Sequence, residues 1–388
     1  MIDYNALAKK NQDYVIEMRR KFHRHPELSG KEFFTSSTIC EELDKMKIPY
    51  TKLPDLNIIA VVDSGKAGKK VALRADFDAL PVQELTDVPF KSEVDGVMHA
   101  CGHDAHAATL LGVAKGLLEI KDQFSGKVLL CFQMGEEMLL GGKSIAKYLK
   151  EIGGVDFAFA VHIFAMEDTG VILLPAGRFA AGVMGFTITV KGRGGHGSMP
   201  HAAIDPIKPA CDMLLKISAL PVNKLDSLDP VVVSPCTIHS GTAANIIPDT
   251  AEFTGTIRYF NKNITEDIQN LLEKTCKGIA LSYGVDVDIN YMYEPMLPVI
   301  NDRECAQIGQ NIAKDMGLTL KTDFVLMGSD DMAYILDAFP GFYAGLGCAN
   351  DAKGIRSAQH NCLFDVDEDS MEIANEFLLR NAIEFLGK

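Results

Sequence analysis

The chain has 388 residues and a formal net charge of −14, a length typical of two or three domains that bury a large core without disulfides. The acidic balance makes nucleic acids and anionic membrane surfaces poor partners. Its composition is that of an ordinary globular protein, and an odd number of cysteines, nine, does not indicate a disulfide scaffold. We expect a cytoplasmic protein, because no signal-peptide core and no run of about 18 apolar residues is visible.

The first part of the chain alternates helical and strand-like segments. Helical spacing of apolar residues predicts helices over residues 6–22, 35–47, 105–120 and 143–152. Short apolar runs predict strands over Ile58–Val62, Val71–Ala75, Val128–Met134 and Phe157–Phe164. Strands that alternate with helices are typical of an α/β domain with a mostly parallel sheet covered on both faces.

The middle of the chain has a different order of elements. In sequence they are a strand over Phe186–Lys191, a helix over Pro206–Ala219, strands over Val231–Ile238 and Ala251–Tyr259, a helix around 268–279, and a strand over Val285–Tyr291. This βαββαβ order is typical of a ferredoxin-like α+β sandwich. We therefore predict an inserted domain at 181–293 within a discontinuous α/β domain formed by 1–180 and 294–388.

After residue 295 the α/β pattern resumes. Helical and strand-like segments are predicted at Cys305–Met316, Phe342–Leu346 and Ser370–Phe385. The last of these predicts a helix that closes the α/β domain.

Residues that can bind metal ions follow the predicted strands of the α/β domain. In chain order they are Asp76, Asp78, Cys101, His103, Asp104, His106, Glu136, Glu137, His162 and the late His360. Because the carboxyl ends of parallel strands form one rim of a sheet, we expect these distant residues to converge on one site. Alone, Cys101 could be a small buried group, His162 a hydrogen-bonded histidine, and the glutamate pair a solvated surface.

The combination of donor types favours metal chemistry. In an extended loop before the helix, Cys101 and His103 would point the same way, and thiolate, imidazole and carboxylate together suit zinc or a similar ion. Two divalent ions can activate water for amide hydrolysis, while a free carboxylate carries the proton to the leaving nitrogen. Of two adjacent glutamates, one can bind a metal ion while the other stays free to carry the proton. The sequence contains no HExxH, GxSxG or P-loop signature, which disfavours zincins, α/β-hydrolases and P-loop hydrolases.

These residues belong to longer motifs, and such motifs are spread over nearly the whole chain. They are FHRHPELS (22–29), LRADFDALPVQE (73–84), MHACGHDAHAATLLG (98–112), FQMGEE (132–137), KGRGGHGSMPHAAIDPI (191–207), GTAANIIPD (241–249) and PGFYAGLG (340–347). In these motifs the chain resembles the aminoacylase/carboxypeptidase family of two-metal amidohydrolases. It is most similar to the branch of hippurate hydrolase, auxin-amino-acid conjugate hydrolases and N-acetyldiaminopimelate deacetylase.

The resemblance implies a site for two divalent ions, of zinc, manganese, nickel or cobalt. It implies five metal ligands: Cys101, His103, Glu137, His162 and His360. Cys101 would bridge the ions, Glu136 would be the general acid and base, and Asp78 would orient a neighbouring group. The inserted domain would be a lid through which two chains form a homodimer.

The resemblance also implies roles for three residues of the inserted domain. His196 and Asn245 would hold the developing oxyanion or the substrate, often from a partner subunit, and Arg258 would bind the substrate carboxylate. Each has a simpler alternative: His196 could cap a glycine-rich turn, Asn245 could form a turn, and Arg258 could be an exposed charge. Five further histidines are interpreted as structural or supporting residues: His23, His25, His99, His106 and His201.

Two short stretches depart from the family pattern. Met134-Gly135 stands where the family usually has a proline and a small residue, which bears on backbone rigidity before Glu136. Asp330-Asp331-Met332 stands where Glu-Asp-Phe is usual, which bears on substrate preference. The predicted function is hydrolysis of the amide bond of a small-molecule N-acyl amino acid. The alternatives are a dipeptidase or carboxypeptidase of the same family, and a metal-dependent binding protein without catalysis.

Overall fold

A computed structural model describes residues 2–388, and its first 180 residues alternate helices with strands. The elements are α1 (Tyr4–Arg24), α2 (Phe33–Met46), β1 (Tyr50–Lys52), β2 (Ile58–Asp63), β3 (Lys70–Asp76), α3 (His103–Glu119), β4 (Lys127–Gln133), α4 (Gly141–Glu151), β5 (Phe157–Asp168), β6 (Val171–Leu173) and β7 (Gly177–Ala180). The four predicted helices and four predicted strands of this region are all present, with ends shifted by a few residues.

The next segment carries longer strands and two principal helices. Its elements are β8 (Gly182–Lys191), β9 (Gly195–His196), α5 (Ile207–Ser218), α6 (Leu220–Lys224), β10 (Val231–Ser240), β11 (Ile246–Ile247), β12 (Thr250–Tyr259), α7 (Thr265–Tyr283) and β13 (Asp286–Tyr291). Four of these strands form an antiparallel sheet in the order β10-β12-β8-β13, and β9 pairs with β11 in a separate ribbon. Apolar residues of α5 and α7 share one buried core with this sheet.

The remaining elements complete the α/β part. They are β14 (Val299–Asn301), α8 (Arg303–Asp315), β15 (Thr319–Lys321), α9 (Met332–Ala338), β16 (Gly341–Ala349) and α10 (Asp369–Leu386). The large sheet has the order β1-β2-β4-β3-β5-β16-β6-β15. Its central strands β4, β3, β5 and β16 are mutually parallel, so their carboxyl ends lie at one edge. The prediction of an α/β fold with a mostly parallel sheet is confirmed.

The described chain divides into two units by its internal contacts. Unit 1 comprises the chain up to Phe179 with Ile300–Val325 and Asp330–Lys388, and unit 2 comprises Ala180–Val299 with Leu326–Ser329. The predicted insertion at 181–293 falls inside unit 2, which also takes in the residues up to 299 and the short segment 326–329. Among residues 2–388, no helix has the length and apolar character needed to cross a membrane.

Helix α3 is buried along almost its whole length, and this burial places the site. It packs between the sheet and helices α1 and α10, and its buried residues include most of His103–Gly116. At Gly112 a side-chain Cβ would lie 2.4 Å from Val15 Cγ2 and 2.5 Å from Asn375 Nδ2. The close approach of the three helices therefore requires glycine at this position.

Candidate metal centre

Strand pairing brings the end of β3 next to the middle of β5. β3 pairs with β5 only as far as Arg74 opposite Ala160, and it ends at Asp76. His162 lies within the strand predicted over Phe157–Phe164, and β5 is longer than that prediction. β5 continues to Asp168 because β16 still pairs with it beyond this point, with Gly345 opposite His162. His162 thus lies just past the place where β3 stops pairing with β5.

The Cys101-Gly102-His103 segment is a tight turn into α3. We predicted an extended loop before a helix that starts at Ala105, but α3 begins at His103. Gly102 has φ +89°, and a Cβ there would lie 2.3 Å from Ile163 Cδ1, so only glycine allows this turn. The turn leaves Cys101 Sγ 3.5 Å from His162 Nε2.

Asp78 connects two of the predicted metal ligands. Its Oδ1 accepts a hydrogen bond from His103 Nδ1 at 3.0 Å. Its Oδ2 accepts from the backbone N–H of Glu137 at 3.0 Å and from Ser29 Oγ at 2.7 Å. One buried carboxylate thereby fixes the ring of His103 and the backbone that carries Glu137. This is the usual arrangement behind a metal-binding histidine.

The free nitrogen of His103 favours a positive charge. Its Nε2 is buried and has no hydrogen-bond partner among residues 2–388. Burial lowers the pKa of His103, but the charges of Asp76 and Cys101 and the hydrogen bond to Asp78 outweigh it and raise the pKa well above its usual range. A divalent cation bound at Nε2 would be stabilised by the same negatively charged neighbours.

His162 presents a lone pair towards the same place. Its Nδ1 donates to the carbonyl oxygen of Ile163 at 2.6 Å, so the lone pair is on Nε2, the nitrogen that lies 3.5 Å from Cys101 Sγ. Burial holds the pKa of His162 well below its usual range, so the ring is neutral. His106 has no free nitrogen, because Nδ1 bonds to Asp76 at 2.5 Å and Nε2 accepts from the Ile163 N–H at 2.9 Å.

The glutamate pair lies on a single 3₁₀ turn, Glu136–Met138. Glu137 Oε1 is 3.4 Å from His360 Nε2, and the Oε1 atom has no hydrogen-bond partner in the described chain. His360 is exposed and has φ +64°, a left-handed conformation that is costly for histidine. Its backbone N–H donates to the Ala100 carbonyl at 2.7 Å, which holds it beside the Cys101 turn.

These donor atoms form overlapping groups in which all atoms lie within 4.8 Å of one another. Three of the groups are Cys101-His103-His162, Cys101-Glu137-His360 and His103-Glu136-Glu137. Burial is the main cause that raises the pKa of the Cys101 thiol to about 12, against the lowering effect of His103, and a bound cation would favour the thiolate. Unpartnered buried donors and this set of sulfur, nitrogen and oxygen atoms fit divalent transition ions such as zinc, manganese, nickel or cobalt.

Glu136 lies in a more buried and more acidic environment than Glu137. Oxygen atoms of Glu136, Asp330 and Asp331 lie within 4.8 Å of one another. Burial, together with the charges of Asp330 and Asp331, raises the pKa of Glu136 well above its usual range. Glu136 can therefore take up a proton readily.

A buried network behind Glu136 was not predicted. Arg74 contacts Asp76 at 2.6 Å and Asp331 at 3.0 Å, and its Nε donates to Gln133 at 2.8 Å. The signal was present, because an arginine within the apolar run 71–75 must be paired when the strand is buried. A prediction from the spacing of apolar residues takes no account of a single charged residue within an apolar run.

The shorter acidic side chain at Asp330 has its own partners. Its Oδ2 accepts from the Tyr343 hydroxyl at 2.6 Å, and its Oδ1 accepts from the Met332 N–H at 2.7 Å. The departure from the usual glutamate therefore leaves a fixed, buried carboxylate near Glu136 rather than a gap.

The three predicted residues of the inserted domain all lie in unit 2. His196 and Asn245 line one open pocket, together with His239. His196 Nδ1 accepts from the Ser198 N–H at 3.1 Å, so this nitrogen caps the glycine-rich turn. Arg258 is half-buried on β12, and its Nη1 donates to Ser329 Oγ at 2.8 Å.

Comparisons with known proteins agree with the motifs. The family model for Peptidase family M20/M25/M40 matches residues 72–384. Thermostable carboxypeptidase 2 of Saccharolobus solfataricus is 39% identical over 387 residues, which cover 98% of each chain. N-acetylcysteine deacetylase of Bacillus subtilis is 32% identical, over 95% of this chain and 96% of that one. A Bacillus subtilis dinuclear metal binding peptidase from the M20 family has a crystal structure that matches with TM-score 0.85 and 30% identity, over 98% of this chain and 99% of the other.

The resemblance to the two-metal amidohydrolases is thereby confirmed, and the chain belongs to Peptidase family M20/M25/M40.

Proposed function

We propose that this protein is an amidohydrolase that holds two divalent ions and releases the amino acid from an N-acyl amino acid. The observation that carries the proposal is the convergence of unpartnered donors beside the buried Glu136. The residues that would hold the ions are Cys101, His103, Glu137, His162 and His360. Support comes from the relatives, which include a dinuclear metal binding peptidase and a deacetylase of N-acetylcysteine.

Amide hydrolysis needs a group that first accepts a proton from water and later donates it to the leaving amine. Bound divalent ions polarise a substrate carbonyl and lower the pKa of a water molecule towards neutrality. Glu136 accepts the proton of that water as its oxygen bonds to the amide carbon. When the carbon–nitrogen bond breaks, Glu136 returns the proton to the departing amine. Its acidic neighbours favour the protonated form, which it must hold between these two transfers.

Residues of unit 2 supply the remaining contacts in this proposal. His196 has Nε2 available to stabilise the oxyanion, Asn245 lies beside it in the same pocket, and Arg258 binds the substrate carboxylate. The fold proposed for unit 2 is ferredoxin-like, because its strand order β10-β12-β8-β13 and its two principal helices suit that fold. Homodimerisation through unit 2 is expected, and light scattering on the purified protein measures the oligomeric state.

A carboxypeptidase is the second candidate. The 39% identity to thermostable carboxypeptidase 2 favours it. A panel of N-acetyl amino acids, N-benzoyl amino acids and dipeptides separates the two functions by relative kcat/KM. Tight binding of these compounds with no product over hours would instead indicate a binding protein.

Glu136→Gln tests the mechanism. We expect the variant to retain its metal ions, measured by elemental analysis, and to lose at least about a thousandfold in kcat, because Gln cannot carry the proton. Glu137→Gln is the matched comparison, since it should lower metal content as well as activity. Wild-type turnover by Glu136→Gln would refute the role of Glu136.

A further inference from the structure

The turn that carries the glutamate pair has few hydrogen bonds of its own. It begins after Gly135, at φ +63°, and ends at Leu139, at φ +57°. Within it, the Leu139 N–H donates to the Glu136 carbonyl at 2.7 Å, and the Leu140 N–H donates to the Gly135 carbonyl at 2.9 Å. The Glu137 N–H also donates to Asp78 Oδ2 at 3.0 Å, which anchors the middle of the turn but not the residues that enter and leave it.

Asn57 ties the two ends of this segment together. Its Oδ1 accepts from the Met134 N–H at 2.9 Å, and its Nδ2 donates to the Gly141 carbonyl at 3.2 Å. Met134 precedes the turn, and Gly141 is the first residue of α4, which follows it. The partners fix the orientation of the amide, because a backbone N–H only donates and a carbonyl only accepts. Asn57 is completely buried, so water does not compete for either bond.

Met134 and Gly141, the two ends of the segment, are closely packed beside Asn57. A Cβ at Gly141 would lie 2.1 Å from the Met134 carbonyl oxygen, 2.6 Å from Gln133 Cγ and 3.1 Å from Asn57 Oδ1. The Gly135 N–H is held separately by the buried Glu32 carboxylate at 2.8 Å. Each backbone N–H that enters the turn therefore has a buried side-chain acceptor.

The backbone immediately before Asn57 is strained. Leu56 has φ +74°, a left-handed conformation that is unfavourable for leucine. The Leu53 N–H donates to the Asn57 carbonyl at 2.8 Å and closes the turn just before β2. Strain of this kind at a buried turn points to a role for the side chain that it places.

We propose that Asn57 is a positioning residue for Glu136, because its amide clamps the segment from Met134 to Gly141. The Met134 N–H, which a proline at this position would lack, is what makes the clamp possible in this chain. The proposal rests on Glu136 as the proton carrier of the proposed function. Its structural part, the clamp, is measurable without any substrate.

Asn57→Ala tests the clamp in the metal-loaded protein. We expect hydrogen–deuterium exchange to increase at least about tenfold in peptides covering 133–142, because both clamp bonds are lost. On whichever substrate of the panel the wild type cleaves, kcat should fall about ten- to a hundredfold while KM changes less than about threefold. Metal content should stay at the wild-type level, since every proposed ligand remains.

Asn381→Ala is the matched control. Asn381 is also completely buried, and its Nδ2 donates to the Phe377 carbonyl at 2.7 Å within α10, away from the glutamate turn. It should lower stability without faster exchange at 133–142 and without loss of kcat. If Asn57→Ala does not fold, Asn57→Asp keeps the acceptor for Met134 and removes the donor to Gly141. Faster exchange should then be confined to 139–142.

Two results would overturn the proposal. One is wild-type exchange at 133–142 in the Asn57 variant, whatever its activity. The other is faster exchange there with an unchanged kcat. If the wild type cleaves nothing in the panel, or Glu136→Gln is fully active, the proposed function fails, while the exchange measurement still decides whether Asn57 is a clamp.

Discussion

At the scale of single residues, the carboxylate of Asp78 has an unusual concentration of partners. It accepts from the His103 ring, the Glu137 backbone and the Ser29 hydroxyl, and it is buried. The hydrogen bonds outweigh burial and keep the pKa of Asp78 below its usual value, so it stays ionised and accepts all three. A change at this residue should therefore act on metal binding without removing a ligand.

Asp78→Asn should weaken metal binding about ten- to a hundredfold, because an amide has only one oxygen to accept these bonds. Competition with a chromogenic chelator measures the affinity. Ser29→Ala is the control, since it removes one donor to Asp78 and leaves the contacts to His103 and Glu137. Equal affinities of wild type and Asp78→Asn would show that Asp78 does not support the metal ligands.

Glu32 should make stability depend on pH. Burial raises the pKa of this carboxyl to about 7, above its ordinary value of 4.5. The folded chain then holds a proton that the unfolded chain releases, so the free energy of unfolding falls as pH rises from about 4.5 through 7. At about 1.4 kcal/mol per pKa unit, the loss is up to about 3 kcal/mol.

Glu32→Gln should remove this slope, because the variant has no proton to lose. Urea unfolding of both metal-free proteins at several pH values between 5 and 8 measures the difference. The wild type should lose stability relative to the variant as pH increases. Parallel curves for the two proteins would mean that Glu32 titrates normally.

At the scale of elements, α3 links the core to the site. Its first residue is His103, and its later turns pack so closely that α1 and α10 leave no room beyond a glycine hydrogen at Gly112. Movement of this helix would displace His103 directly. Tight packing of α3 thus serves the geometry of the site as well as stability.

Gly112→Ala should destabilise the fold by about 1–3 kcal/mol, even though alanine is the better helix former. The new methyl group would overlap Val15, whose branched side chain has little freedom to move. Gly278→Ala in α7 is the matched control, because a Cβ there meets nothing within 4 Å. It should raise stability by up to about 1 kcal/mol. Urea midpoints measure both, and a stabilised Gly112→Ala would contradict this packing.

At the scale of the whole molecule, candidate ligands come from segments as far apart as Cys101 and His360. Ions that join such segments bind the folded chain far better than the unfolded chain, so they should stabilise it. Chelation should lower the thermal midpoint by several degrees, and added metal should restore it. A His103→Ala variant should respond much less to the chelator. An unchanged wild-type midpoint after complete metal removal would contradict a shared site.

Much of the fold could be predicted because its signals are local. Helices such as α1 and α10 repeat apolar residues every three or four positions, and strands such as β3 and β4 are short apolar runs between turns. The three-residue strands β1, β6, β14 and β15 were missed, because a segment that short has no period to detect. The motifs around Cys101 and Glu136, together with those around His196 and Asn245, identified the family.

The local amino-acid pattern determined the order of helices and strands, the donor types and the family, since each depends on residues near one another in the chain. The tertiary structure decided how far β5 runs past His162, how Gly102 turns His103 into α3, and which nitrogens of His106 are occupied. It also paired Arg74 with Asp331 and Asn57 with Met134. Such contacts join residues far apart in the chain, and their energies depend on burial and distance, which exist only once the chain has folded.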